Sequence, residues 1–392
     1  MPIAGAGDID RDRLRQDLAA VRQPAASASS LPPACYAGPA IFRWEQESLF
    51  RRAWVGAGRA DRWASPGDYS AMDVGGATIV VLRDNQDSLR AFANTCRHRG
   101  ARLLAGDGNC GTIRCPFHRW TYALDGRLLM APRMDKTENF ALEEHGLIPL
   151  RIDTHQGFAF VCFDDAVEPL ADWLGDFPRL HAPWSLGDMV STRRREFEVA
   201  CNWKSFLEVF NEYYHLPYVH PTSLGDLYDH PDEPDEVRGN YASQFGTTQG
   251  TGALLKSDQE RSLPLIAGLA GDNRRGTRYT WMFPNMTFAA GTESIWVYEA
   301  YPLAPNRTLV GMTACFPPDT AARGDFDELA QHYYERLDAA MDEDIPALEN
   351  QQLGLDSPFA RQGRFSWLES SVASFAHWYS GRLLDEEELA GP

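Results

Sequence analysis

Basic residues are scarce in this chain of 392 residues, where 37 Lys and Arg stand against 55 Asp and Glu for a formal net charge of −18. A surface of that sign repels phosphate, which argues against nucleic acid and anionic membranes as partners. Long apolar runs are missing too, and no segment has the length of a membrane span. The N-terminal stretch has no apolar core of the kind found in signal peptides, so we expect a cytoplasmic protein.

Cysteine is rare as well, with seven in the whole chain. Cys162, Cys201 and Cys315 lie in apolar, strand-like stretches and are expected to be reduced core residues. Only Cys96 and Cys115 belong to a recognisable motif, and that motif gives the first indication of chemistry.

The motif consists of two matched half-sites, Cys96-x-His98 and, sixteen residues later, Cys115-x-x-His118. Two thiolates and two imidazoles bind either a tetrahedral zinc ion or a two-iron cluster in which two His replace two Cys on one iron. Structural zinc sites usually pair two Cys in each half-site, whereas here each half-site pairs one Cys with one His. The spacing therefore favours a [2Fe–2S] cluster of the Rieske type, and zinc is the alternative.

The length and the pattern of strands predict two domains of the α+β class. Residues 1–40 read as an N-terminal helix, Asp8 to Arg22, followed by a linker rich in Ala, Ser and Pro. Short apolar runs separated by Gly and Pro turns predict an antiparallel β domain over 41–165, with the cluster loops at its tip. Residues 166–392 are expected to form a catalytic domain of antiparallel sheet covered by helices.

A second group of metal-binding side chains lies in the segment NWKSFLEVFNEYYHLPYVHP. If a helix runs from Lys204 to Tyr214 and beyond, Glu212 and His215 lie on one of its faces. Pro217 interrupts such a helix and is expected to bring His220 beside His215. Two imidazoles and one carboxylate form the facial triad of non-haem Fe(II) oxygenases. The alternative is an ordinary helix with surface Glu and a core His.

Taken together, the CRHRG and CPFHRWTYALDG motifs and the E-x-x-H-x-x-x-x-H segment resemble the large (α) subunit of Rieske non-haem iron oxygenases, the aromatic-ring-hydroxylating type. The resemblance implies that His215 and His220 bind a mononuclear Fe(II). It also implies that Glu212, where the family usually has Asp, links this site to a Rieske His of a neighbouring subunit. The third iron ligand maps to Asp344, with Asp342 and Glu343 close enough to be alternatives.

The resemblance also implies partners. The Gly-x-Gly pairs at Gly5 and Gly56 lack the third Gly of a dinucleotide fingerprint, so NAD(P)H and flavin are expected on a separate reductase. That reductase, or a ferredoxin, would supply electrons to a homotrimer or a multiple of it. Dioxygen and a small organic molecule would be the substrates.

The substrate class stays open at this stage. Aromatic pairs, Trp281 with Phe283 and Trp296 with Tyr298, are read as core residues first. If they line a pocket, an aromatic substrate or a quaternary ammonium aided by Glu293 or Glu299 fits there. The sequence around the His pair is closer to the choline, betaine and carnitine branch. A Rieske electron carrier without a second iron, and a zinc-stabilised binding module, are the alternatives from other classes.

Overall fold

The described strands form two seven-stranded sheets and one three-stranded sheet, and every pairing in them is antiparallel. The structure is a computed structural model that describes residues 11–24 and 26–389. These residues divide into two compact units. One runs from Glu45 to Leu170, and the other joins the described residues up to Trp44 with those from Ala171 onward.

The unit from Glu45 to Leu170 is built of short strands, as the alternation of apolar runs and turns predicts. Its larger sheet has the strand order β1-β10-β9-β4-β3-β2-β5, and its smaller sheet has the order β6-β7-β8. The strands are β1 Val55–Arg59, β2 Asp68–Val74, β3 Ala77–Arg83, β4 Leu89–Ala93, β5 Asp107–Asn109, β6 Ile113–Arg114, β7 Thr121–Tyr122, β8 Leu128–Met130, β9 Pro149–His155 and β10 Phe158–Cys162.

The second unit has a single sheet with the strand order β11-β17-β16-β15-β14-β13-β12. Its inner strands are buried over most of their length because helices cover the sheet, and β15 is buried at every position. The strands are β11 Val190–Val199, β12 Tyr228–Pro231, β13 Tyr241–Thr248, β14 Gly276–Met282, β15 Met286–Ala290, β16 Ile295–Ala304 and β17 Arg307–Phe316.

Ten α-helices lie in the described residues: α1 Arg11–Val21, α2 Ala34–Ala37, α3 Pro39–Trp44, α4 Leu170–Leu174, α5 Phe177–His181, α6 Trp203–Phe210, α7 Leu216–Val219, α8 Pro318–Ala321, α9 Phe326–Leu355 and α10 Ser370–Leu389. Residues 8–10 of the predicted first helix lie outside the described residues. Within the described ranges, no helix is long and apolar enough to cross a membrane.

The helix predicted from Lys204 to Tyr214 is shorter than expected. The side chain of Asn202 accepts a hydrogen bond from the backbone N–H of Lys204 and starts α6, which ends at Phe210 with Asn211 as its C-cap. Glu212 and His215 therefore lie beyond the helix, and the expectation that they share a helix face is wrong. Asn211 disfavours helix continuation because its side chain bonds back to the carbonyl of Leu207 at 2.7 Å.

Candidate metal centres

The two half-sites of the cysteine–histidine motif form loops with the same backbone hydrogen bonds. In the first loop, the N–H of Cys96 donates to the carbonyl of Ala101 at 2.8 Å, and the N–H of Gly100 donates to the carbonyl of Cys96 at 2.9 Å. In the second, the N–H of Cys115 donates to Trp120 at 2.8 Å, and that of Arg119 donates to Cys115 at 3.2 Å.

The fourth residue after each cysteine has a left-handed backbone, with φ of 72° at Gly100 and 63° at Arg119. Glycine adopts that conformation without strain, whereas arginine does so rarely. The two half-sites are therefore local repeats of one loop geometry, which the difference between their sequences obscures.

These loops separate the two types of ligand by depth. Cys96 and Cys115 are buried in the apolar core of the unit, whereas His98 and His118 are half-buried at its surface. The two imidazole rings lie close together, with centroids 4.7 Å apart, and His98 stacks on Trp120. Nδ1 of His98 is buried without a hydrogen-bond partner in the described structure. Two buried thiols next to two imidazoles at the surface fit a cluster in which one iron is bound by Cys and the other by His.

Tyr122 is a functional candidate that the sequence reasoning did not single out. Its hydroxyl lies 3.4 Å from Sγ of Cys96 and accepts a hydrogen bond from the backbone N–H of Arg97 at 3.0 Å. Burial raises the pKa of Tyr122, so the phenol keeps its proton. The only sequence feature that could have indicated this role is the position of Tyr122, an aromatic residue seven positions after Cys115.

Several arginines in and beside the two cluster loops are exposed. Arg99 lies over the ring of Phe117, and its Nη2 is 3.2 Å from Nε2 of His118. Arg97, Arg114 and Arg119 are exposed as well. Arg102 differs from them because it pairs with Asp73 at 3.3 Å, which partly cancels its charge.

The second candidate centre joins the segment after α6 to the middle of α9. The rings of His215 and His220 lie 5.1 Å apart between centroids. Oδ1 of Asp344 is 3.0 Å from Nε2 of His220 and 3.7 Å from Nε2 of His215. All three side chains are largely buried. His215 and His220 lie side by side, as the sequence predicts. However, α6 already ends at Phe210 and not at the break that was predicted at Pro217.

Each of these two imidazoles has a carboxylate at its Nδ1 atom, whereas its Nε2 atom faces Asp344. Nδ1 of His215 is 2.5 Å from Oε1 of Glu212, and Nδ1 of His220 is 2.6 Å from Oε2 of Glu343. Burial opposes protonation of His215, but the hydrogen bond with Glu212 outweighs it and raises the pKa of the imidazole. The Nδ1–carboxylate contacts leave both Nε2 atoms directed at Asp344.

This donor set fits a divalent metal ion. One atom each from His215, His220 and Asp344 lies within 4.8 Å of the others. Oδ1 of Asp344 is buried and accepts no hydrogen bond in the described structure. A buried carboxylate oxygen without a partner is costly unless a ligand compensates it. Two imidazoles and one carboxylate suit Fe(II) and leave positions open for other ligands.

Two cavities meet at this centre. One, of about 40 Å³, is bounded by aromatic and polar side chains: Phe210, Tyr213, Tyr279, Tyr298 and Arg336 with the three candidate ligands. The other, of about 440 Å³, reaches His215 and Glu212 and is also lined by Tyr36, Glu208 and Glu369. Burial raises the pKa of Glu208 to about 7, against the opposing hydrogen bond from the Tyr36 hydroxyl.

Of the two aromatic pairs that the sequence singles out, one lies in the core and the other has a member that lines a cavity. Trp281 and Phe283 pack against Phe375, as core residues do, whereas Tyr298 lines the smaller cavity.

Neither glutamate proposed to assist the aromatic pairs faces the smaller cavity. Glu299 pairs with Arg194 at 2.9 Å, and Glu293 accepts a hydrogen bond from Thr251 at 2.5 Å.

Comparison with known proteins gives two family matches and many relatives. Residues 53–141 match the Rieske [2Fe–2S] domain, and residues 186–385 match the ring hydroxylating alpha subunit catalytic domain. The glycine betaine monooxygenase oxygenase subunit of Chromohalobacter salexigens is 29% identical over 100% of this chain and 92% of its own length. The carnitine monooxygenase oxygenase subunit of Acinetobacter pittii is 29% identical over 86% of this chain and 88% of its own.

Among solved structures, the quaternary ammonium Rieske monooxygenase CntA in complex with γ-butyrobetaine is similar, with a TM-score of 0.74 and 25% identity, covering 94% of this chain and 98% of that one. The catalytic-domain match spans half of the chain. The chain therefore belongs to the ring hydroxylating alpha subunit family, and it is the Rieske-type oxygenase component that receives electrons from a separate protein and uses dioxygen to oxidise a small organic substrate.

Proposed function

We propose that this oxygenase hydroxylates an N-methyl group of a small quaternary ammonium compound. The observation that carries the proposal is the position of the donor set of His215, His220 and Asp344, which forms one wall of a cavity with aromatic side chains on its other walls. Aromatic faces attract quaternary ammonium groups. The relatives named for glycine betaine and carnitine support this substrate class over an aromatic acid.

The residues have the following proposed roles. Cys96, His98, Cys115 and His118 bind the [2Fe–2S] cluster, and His215, His220 and Asp344 bind the mononuclear Fe(II). When bound, the cluster supplies single electrons and the Fe(II) supplies dioxygen activation. Glu212 and Glu343 orient the two imidazoles through their Nδ1 atoms. Glu212 also links the site to the Rieske imidazole of a neighbouring subunit.

The chemistry balances for an N-methyl substrate. One oxygen atom of O₂ enters a C–H bond, and the other leaves as water with two protons and the two electrons from the donor. The hydroxymethyl product then breaks its C–N bond, releasing formaldehyde and a proton and leaving a tertiary amine. The small cavity limits the substrate to a compact molecule.

The assembly follows from the same proposal. A ferredoxin or a flavin and iron–sulfur reductase donates the electrons, and NAD(P)H binds to that partner. A homotrimer, or a multiple of it, would bring a Rieske imidazole of one subunit to Glu212 of the next. The compact unit from Glu45 to Leu170 supports a Rieske domain at about 41–165, with the catalytic domain at 166–392. The cytoplasmic location stays a prediction.

The test combines metal analysis with product analysis. The purified protein should contain three iron and two labile sulfide per chain, and with a reconstituted reductase it should release formaldehyde from a trimethylammonium compound. His215→Ala and Asp344→Ala should each lose one iron and all turnover while keeping the visible spectrum of the cluster. Full turnover by either variant, or oxidation of aromatic acids instead of trimethylammonium compounds, would contradict the proposal.

A further inference from the structure

Arg336 is a buried cation that has no carboxylate partner in the described structure. It lies on α9 with 4% of its surface exposed. Its Nε donates to the carbonyl of Gly252 at 3.0 Å, and its Nη2 donates to the hydroxyl of Tyr228 at 3.1 Å. Among residues 11–24 and 26–389, no group accepts a hydrogen bond from Nη1. The guanidinium carbon stacks over Trp296, 4.9 Å from the ring centroid.

A buried guanidinium without a carboxylate partner is unfavourable unless a ligand compensates its charge. Buried charges in proteins are nearly always paired, because the loss of hydration is otherwise uncompensated. Two half-buried arginines of this unit follow that rule: Arg194 pairs with Glu299 and Arg278 pairs with Asp235. Around Arg336 the polar neighbours are neutral phenols, those of Tyr228, Tyr279 and Tyr298. They stabilise the charge only partly.

The unpaired guanidinium lines the same cavity as the candidate iron ligands. Arg336 precedes Asp344 by eight residues on α9, which is roughly 12 Å along the helix axis. Ala340 and Met341 line the cavity between them. The hydroxyl of Tyr298, which is buried without a hydrogen-bond partner, lies on the same wall. The cavity thus has a metal-binding end and a separate end with two unused hydrogen-bond donors.

We propose that Arg336 binds the carboxylate of the substrate, assisted by the hydroxyl of Tyr298. The inference rests on the proposed function and deepens it: the substrate is a zwitterion with an N-methyl group at the iron end and a carboxylate at Arg336. A planar guanidinium matches a carboxylate by paired hydrogen bonds. A cavity of about 40 Å³ has room for a small anionic group, and choline, which has no anion, would leave the guanidinium uncompensated.

The experiment compares substrates that differ only in this group. Glycine betaine, its methyl ester, choline and phosphocholine are titrated into the iron-loaded enzyme by calorimetry without oxygen, and kcat/KM is measured with the reductase. Glycine betaine should bind at least about 100-fold more tightly than the ester or choline. Neither of these compounds has a carboxylate, so the donors of Arg336 and Tyr298 would lose the acceptor that it offers. Arg336→Met should remove that preference, lowering kcat/KM for glycine betaine far more than kcat/KM for the ester. Arg336→Lys should restore part of it.

A matched control is Arg193→Met. Arg193 also contacts α9, through Asp338, but does not line the cavity, and Asp338 keeps Arg195 as a partner. This variant should retain the full preference for the carboxylate. Iron content and melting temperature show whether Arg336→Met is folded; if it is not, the wild-type comparison of acid with ester decides alone.

The outcomes separate this inference from the proposed function. Equal binding and turnover of glycine betaine, ester and choline would overturn the role of Arg336 while leaving the quaternary ammonium proposal intact. Tighter binding of phosphocholine than of glycine betaine would overturn the carboxylate as the anion. Binding of none of the four compounds would overturn both.

Discussion

The Nδ1 atom of His220 lies 2.6 Å from Oε2 of Glu343, the residue immediately before Asp344 on α9. The same oxygen accepts a hydrogen bond from the hydroxyl of Ser223 at 2.5 Å. Two adjacent carboxylates of one helix thus approach opposite nitrogens of one imidazole. Glu343 fixes the tautomer that presents Nε2 to the metal side, and Asp344 meets that nitrogen.

The first prediction is that Glu343→Gln weakens Fe(II) binding by about 10- to 100-fold without changing the visible spectrum of the cluster, because an imidazole that loses its supporting carboxylate is less basic and less well oriented. Iron titration of the metal-depleted protein measures the affinity. Glu335→Gln, on the exposed face of α9, is the control. If both variants bind iron like the wild type, the contact with His220 has no supporting role.

The second prediction concerns Glu212. Its Oε1 accepts a hydrogen bond from Nδ1 of His215. Its Oε2 accepts hydrogen bonds from the backbone N–H groups of Tyr214 and His215. We expect Glu212→Gln to retain both metal centres but to slow single-turnover oxidation of the prereduced cluster in the presence of substrate and dioxygen. Glu212→Asp should preserve more of the rate, since it keeps the charge. An unchanged rate in Glu212→Gln would remove this residue from the electron path.

The third prediction concerns the potential of the cluster. Removing the hydroxyl of Tyr122 beside Sγ of Cys96 should lower the reduction potential, because hydrogen bonds to the sulfurs stabilise the reduced, more negative state. Tyr122→Phe is the variant and protein-film voltammetry the measurement. Loss of the buried hydroxyl should cost about 1 kcal/mol of stability. A potential equal to that of the wild type would show that the contact with sulfur has no electronic effect.

The fourth prediction is that donor docking depends on the exposed arginines of the cluster loops. Arg102 is a poor choice for charge reversal because it pairs with Asp73, whereas Arg119 is exposed. Arg119→Glu should slow reduction by the protein donor but not by dithionite. The wild-type rate should fall as salt rises, since screening acts over about 10 Å. Arg133→Glu, an exposed arginine outside these loops with a similar backbone φ, should have little effect. Equal slowing with both reductants would point to cluster damage instead.

The fifth prediction follows from the raised pKa of Glu208, which burial moves to about 7. A carboxyl with a folded-state pKa above its unfolded value stabilises the fold fully below about pH 4.5 and loses that contribution as pH rises through about 7. Glu208→Gln keeps an acceptor for the Tyr36 hydroxyl but does not titrate. Its urea midpoint should fall less between pH 6 and pH 8 than that of the wild type. Parallel curves would contradict the raised pKa.

The sequence by itself determined the features that depend on local spacing. The cysteine–histidine half-sites are short loops whose ligands are two or three residues apart, so their geometry is contained in their own residues. The same holds for His215 and His220, which are five residues apart. Antiparallel sheets covered by helices also follow from the periodicity of the strands.

Only the tertiary structure decided the features that require distant segments to meet. Asp342, Glu343 and Asp344 are consecutive acids, and the packing of α7 against α9 determines which one meets each nitrogen of His220. The segment from Pro221 to Arg261 contains β12 and β13, and β13 pairs with β14, roughly thirty to forty residues further along the chain. The sequence also gave no sign that Arg336 is buried without a carboxylate partner, because the charge of a residue is local while its counterion depends on the whole fold.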